Sequence, residues 1–150
     1  MSKLDMEYRD KLLVSDLPNK QKEEIKLLTL CNYGQVRSVS MAMHLSALGY
    51  KNVYATGFMR WHPSVISRQI EDSDLTIVCN RPNLEELFLN TDLFTKRDNI
   101  PSEFVEKLQE SINNNKDKIV ICNVIGYDRW GNPAHPELRE RIQTFLSEIL

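Results

Sequence analysis

Short apolar runs rich in β-branched residues recur along this chain with helical segments between them, and that alternation confines it to a parallel sheet covered by helices. The pattern predicts strands over 25–31, 52–56, 74–79 and 118–124, and helices over 38–49, 63–71, 83–90, 102–114 and 134–149. Leu75-Thr-Ile-Val-Cys79 and Ile119-Val-Ile-Cys122 are nearly continuous in apolar residues, as parallel strands buried on both faces are. In the first helix Met41, His44, Leu45 and Leu48 follow the i, i+3, i+4, i+7 rule, with Gly49 at the expected stop. Leu138, Ile142, Phe145, Leu146 and Ile149 repeat the stripe in the last helix, so both helices should lie on the sheet. Sheets of this kind carry reactive loops at the C-terminal ends of their strands. Cys31 ends the first strand, Cys79 ends the third and Asp128 follows the fourth, so all three can face one crevice.

Residues 1–24 are charged and weakly patterned, with Pro18 and a charged run from Lys20 to Glu24. They read as a peripheral N-terminal extension, helical or irregular, ahead of an α/β domain over 25–150. A 150-residue chain with 41% hydrophobic and 27% charged residues suits one domain with a sizeable core. Nineteen basic against 21 acidic residues leave a net charge of −2, which gives no global field for nucleic acid, so any anion site must be local. No apolar stretch approaches the roughly 20 residues of a membrane span, and the start lacks a signal-peptide core. The expected location is the cytoplasm, with no membrane partner. The three cysteines, Cys31, Cys79 and Cys122, are too few for a disulfide framework and have no paired metal-ligand spacing. Walker-type loops, Rossmann fingerprints and serine nucleophile elbows are also missing.

The chemistry concentrates after the first strand. Cys31 and Arg37 bracket Asn32, Tyr33, Gly34, Gln35 and Val36, and Ser38 follows at once. Five intervening residues let a loop curl until its N–H groups point inward, with a thiol at one end and a guanidinium at the other. Inward N–H groups, a helix N-terminus and a bidentate arginine favour a tetrahedral anion, and the same field favours thiolate over thiol. The expected product is an oxyanion cradle with a nucleophile in its floor, binding phosphate- or sulfate-like anions.

A Cys-x5-Arg-Ser loop between the first strand and first helix resembles the low-molecular-weight protein tyrosine phosphatases and their predicted bacterial and viral relatives. Met41-Ala42 is similar to the Met-Ala of that family's first helix, and Ala55-Thr56-Gly57 to the turn ending its second strand. His62-Pro63 and Asp74-Leu-Thr-Ile-Val resemble its next helix and third strand. Gly126-Tyr127-Asp128-Arg129-Trp130 looks like its acid loop, an aspartate beside an aromatic. The likeness runs in order over roughly residues 25–150. It implies a three-layer flavodoxin-like α/β fold with a four-stranded parallel sheet, order 2-1-3-4, and helices on both faces. Departures are visible: the loop glycine is displaced by one position, Val36 replaces a second loop cysteine, Val39 stands where proline is usual, and the acid segment reads Tyr-Asp-Arg-Trp rather than Asp-Pro-Tyr. These bear on substrate range and efficiency more than on the fold.

The resemblance implies a phosphatase acting on phosphotyrosine in a protein or on a small aryl phosphate, with no metal or other cofactor. Cys31 would attack phosphorus in line to form a phosphocysteine. Arg37 and the N–H groups of 32–37 would hold the equatorial oxygens, and Ser38 would donate to the Cys31 sulfur. Asp128 would protonate the leaving oxygen and then activate water. Tyr33 and Trp130 could wall a slot for an aromatic leaving group or pack against the loops.

Ordinary roles compete with each of these. Cys31 could be a buried strand-end cysteine, Arg37 a surface ion-pair partner, Ser38 a cap of the first helix, and Asp128 a turn residue, with Asp117 and Asp92 as other acids. Arg60-Trp61-His62 is either a rim of the crevice or packing and surface charge. His44 reads as a hydrogen-bonded structural histidine, and His135 has no assigned role. Cys79 and Cys122 end strands near the loop, where either could attack an oxidised or arsenylated Cys31. Lying far apart in sequence on buried strands, they read as core. Two other functions therefore stand beside the phosphatase: a non-catalytic module binding an anion, a phospho-ligand or a nucleotide on the same fold, and a thiol-dependent arsenate reductase.

Overall fold

The computed structural model describes residues 9–32, 36–89, 99–122 and 132–150. Four strands, β1 (Lys26–Cys31), β2 (Asn52–Gly57), β3 (Leu75–Val78) and β4 (Ile119–Ile121), form one all-parallel sheet in the order β2-β1-β3-β4. The described α-helices are α1 (Arg37–Ala47), α2 (Pro63–Asp72), α3 (Arg81–Leu89), α4 (Ser102–Asn114) and α5 (Pro136–Phe145). The expected three-layer flavodoxin-like architecture is present. Because successive strand residues face opposite ways, each apolar run feeds two cores. Leu27, Cys31, Leu75, Ile77, Cys79, Val120 and Cys122 join Met41 and Leu45 of α1 and Leu138, Ile142 and Phe145 of α5 on one face. Leu28, Leu30, Val78, Ile119 and Ile121 join Ile66 and Ile70 of α2, Leu84, Leu87 and Phe88 of α3, and Val105, Leu108 and Ile112 of α4 on the other. None of the described helices is long and apolar enough to cross a membrane.

Local chemistry sets the element ends. α1 stops at a Schellman motif: the Tyr50 N–H donates to Leu45 O at 3.2 Å and the Gly49 N–H to Ser46 O at 3.0 Å, with Gly49 at φ +103°. Two His-Pro pairs start helices in one manner. The His62 and His135 rings accept from the N–H groups of Ser64 and Glu137 at 3.1 and 3.2 Å, and Pro63 and Pro136 occupy the first helical positions. The His135 cap starts α5 at 136 rather than 134, and a 3₁₀ turn over Ser147–Ile149 replaces its expected last turn. α3 opens two residues before the expected 83, with Pro82 in its first turn, where no N–H is needed.

The N-terminal stretch is not merely peripheral. Leu12 is fully buried in the α1/α5 core and its N–H donates to Phe145 O at 2.8 Å. Arg9 pairs with Asp16, and Lys22 reaches Leu48 O at 3.0 Å while lying over the Tyr50 ring.

Candidate functional site

Cys31 ends β1, one of the two strands with a neighbour on each side, and is 4% exposed. The chain is held where it leaves the sheet: the Phe58 N–H donates to Cys31 O at 2.9 Å and the Met59 N–H to Asn32 O at 2.7 Å, tying the start of the loop to the end of β2. Arg37 is the first residue of α1, and the Ser40 N–H closes the first helical bond on Val36 O. Ser38, expected as a possible cap, is instead the second residue of the helix, because α1 begins one residue earlier with Val36 at the N-cap.

Freed from capping, the fully buried Ser38 hydroxyl lies 3.2 Å from Cys31 Sγ. In the thiol form the S–H donates to Ser38 Oγ; in the thiolate the hydroxyl turns and donates to sulfur. Thr29, two residues back on the same strand face, donates its hydroxyl to Ser38 O at 2.7 Å. The β1 to α1 junction is thus tied twice through one serine. Sequence reasoning missed Thr29, although a threonine two residues before Cys31, facing the same helix, was the available signal. Arg37 is half-buried, with Nη1 3.5 Å from Oδ1 of Asn83 in the first turn of α3, so the N-termini of two helices meet at this edge.

Asn32 and Asn80 directly follow Cys31 and Cys79, and each buries an amide oxygen with no partner among the described residues. Burial pushes the Cys79 thiol well up, neighbouring Cys122 and Cys31 add to it, and a backbone hydrogen bond with Leu30 and the charge of Arg37 oppose it. Burial likewise pushes the Cys122 thiol up. As expected, both are buried and neither is exposed to solvent.

Of the other expected residues, Tyr33, Gly34, Gln35, Asp92, Asp128 and Trp130 lie outside the described residues. Asp117 is excluded as the acid: it sits in the turn over Lys116–Lys118 that precedes β4, at the opposite edge of the sheet from Cys31. Trp61 is exposed beneath Arg60, whose guanidinium lies 5.8 Å from the ring, on the segment that leaves β2 beside Asn32. His62 is taken up by its cap and an edge contact with Phe104. His44 is a structural histidine, Nδ1 2.9 Å from Ser40 O. Among the described residues no His, Cys, Asp and Glu side chains form a group of three able to hold a metal ion. Compared with family models, with characterised proteins and with solved structures, the chain matches none.

Proposed function

We propose that the chain is a cysteine-dependent phosphatase that hydrolyses phosphotyrosine or other aryl phosphate monoesters through a phosphocysteine intermediate. One observation carries the reading: a strand-end thiol stands 3.2 Å from a buried serine hydroxyl in the first turn of the helix that Arg37 opens. The sequence spacing, the parallel sheet and the position at the strands' C-terminal edge support it. In this mechanism Cys31 attacks phosphorus as the thiolate and the P–O bond to the leaving group breaks. Ser38 stabilises the thiolate and, in the second step, the departing sulfur. Arg37 and the loop carry the charge that builds on the equatorial oxygens. Asp128 is the proposed general acid and then base, by resemblance of its segment to the acid loop of the low-molecular-weight tyrosine phosphatases.

The test is p-nitrophenyl phosphate hydrolysis from pH 5 to 8 without added metal, for the wild type, Ser38→Ala and Asp128→Asn. The proposal expects wild-type turnover, a loss of about 10²-fold for Ser38→Ala and of about 10²–10⁴-fold for Asp128→Asn. Vanadate binding without turnover would make the site an anion-binding module. Arsenate turnover coupled to a thiol reductant, in place of aryl phosphate turnover, would move the chain to the reductases.

A further inference from the structure

The sequence separates its three cysteines widely; the sheet register brings them together. Leu30 pairs with Val78 across β1 and β3, and Val78 with Ile121 across β3 and β4. One residue further on, the ladder continues: the Cys79 N–H donates to Leu30 O and the Cys122 N–H to Val78 O, both at 2.7 Å. Cys31, Cys79 and Cys122 are therefore consecutive members of one row across the sheet. All three side chains lie in the same buried cluster, on the face covered by α1 and α5. Adjacent parallel strands stand about 4.8 Å apart, inside the Cα separation of about 4.4–6.8 Å that a disulfide spans.

We infer that Cys31 and Cys79 form an oxidative-modification site, a vicinal dithiol that a hydroperoxide converts to a disulfide and a thiol reductant restores. Access sets the order of events. Cys79 is fully buried, whereas Cys31 borders the loop. The Cys31 thiolate attacks one peroxide oxygen, the O–O bond breaks and hydroxide leaves, giving a sulfenic acid. The Cys79 sulfur then attacks the Cys31 sulfur, the S–O bond breaks, and the hydroxide leaves as water with the Cys79 proton. Two thiols are oxidised by two electrons, and one peroxide becomes two waters. The Cys79 S–H lies 3.9 Å from the Ile77 carbonyl oxygen, a weak contact that one side-chain rotation gives up. Cys122 is also next to Cys79, but it is Cys31 that stands beside the Ser38 hydroxyl at the helix start that Arg37 opens, so oxidation begins at that end of the row.

The inference rests on Cys31 being the reactive thiolate of the proposed phosphatase, and the experiment separates the two. Wild type, Cys79→Ala and Cys122→Ala are titrated with hydrogen peroxide, digested under alkylating conditions and mapped by mass spectrometry, with p-nitrophenyl phosphate hydrolysis measured before oxidation and after dithiothreitol. Wild type and Cys122→Ala should yield the Cys31–Cys79 disulfide and recover nearly all their activity. Cys79→Ala should start with ordinary activity, accumulate sulfinic acid at Cys31 and recover almost none. Cys122→Ala is the matched control for losing a buried thiol on the same face. A Cys79–Cys122 disulfide, or the same rate of irreversible Cys31 oxidation with and without Cys79, overturns the inference while leaving an active phosphatase intact. A protein that hydrolyses no aryl phosphate yet forms the Cys31–Cys79 bond supports the dithiol site and removes the catalytic reading instead.

Discussion

The two edges of the sheet use their polar groups differently. Where the strands begin, charges are matched by fixed partners. Asp74 accepts from the Lys26 N–H at 2.9 Å and from Lys20 at 3.0 Å, and Lys118 donates to Glu71 O and Ser73 O at the end of α2. Where the strands end stand a row of thiols, a guanidinium, a serine bonded to sulfur, and two asparagines whose buried amide oxygens have no partner among the described residues. The first edge holds the fold together; the second is where chemistry is proposed.

If that division holds, substitutions at the second edge change activity far more than stability. Cys31→Ser should leave no measurable p-nitrophenyl phosphate hydrolysis while the thermal midpoint stays near wild type; ordinary turnover in that variant would end the catalytic reading. Next in size, Arg37→Lys keeps the charge but loses the planar fork that grips two oxygens. It should cost about 10²–10³-fold in kcat. A loss of less than about tenfold would mean that the guanidinium geometry does not serve the transition state.

How much of this was legible in the sequence depends on whether the determinant is local. β1 and β3 announced themselves because a strand covered on both faces is apolar at nearly every position, and Leu27 to Leu30 and Leu75 to Val78 are so but for one threonine each. Gly49 was readable as a stop because only a positive φ turns the chain there. The spacing of Cys31, Arg37 and Ser38 was local too. The thiol row was not, since register between strands is a property of pairs and no single run records it. Leu12 hid for a related reason: the short apolar run Leu12-Leu13-Val14 in a charged stretch has no periodicity to say which of its members is buried, and the burial of Leu12 depends on the distant end of α5. The helix-capping role of His62 and His135 was missed although the His-Pro pairs were visible, because histidine is read first for its chemistry. Asp117 fell once the start of β4 was known.

At the structural edge the expected effects are on stability, with activity spared. Leu12→Ala should destabilise the fold by about 2–5 kcal/mol, as truncations of fully buried leucines do. Urea unfolding would show it, and a cost under about 1 kcal/mol would detach the N-terminal stretch from the core. Gly49→Ala is a smaller and purely conformational case. A Cβ there would meet only the Lys22 side chain at an ordinary 3.6 Å, so the penalty is that of holding alanine at φ +103°. The expected cost is about 1–2 kcal/mol. A neutral substitution would mean that the helix ends without the left-handed residue.

The smallest effect tests the edge's electrostatics. Burial pushes the Asp74 carboxyl up, but the Lys26 N–H bond and then the bond and charge of Lys20, with the charge of Lys26, outweigh it and hold the group below its ordinary value of 3.8. A carboxyl that titrates lower in the folded chain than in the unfolded one binds fewer protons when folded. Its contribution is therefore complete above the ordinary carboxylate value and is lost as pH falls through the lowered folded value. Asp74→Asn keeps a side-chain oxygen that can accept from Lys26 and removes the charge that faces Lys20. Comparing urea midpoints, wild type should exceed the variant at pH 7, and the gap should close as pH falls below 4. Hydrolysis should be the same for both proteins at every pH where both are folded. A gap that persists unchanged in acid would assign the stabilisation to hydrogen-bond geometry alone. A change in hydrolysis would couple the two edges and end the division of labour between them.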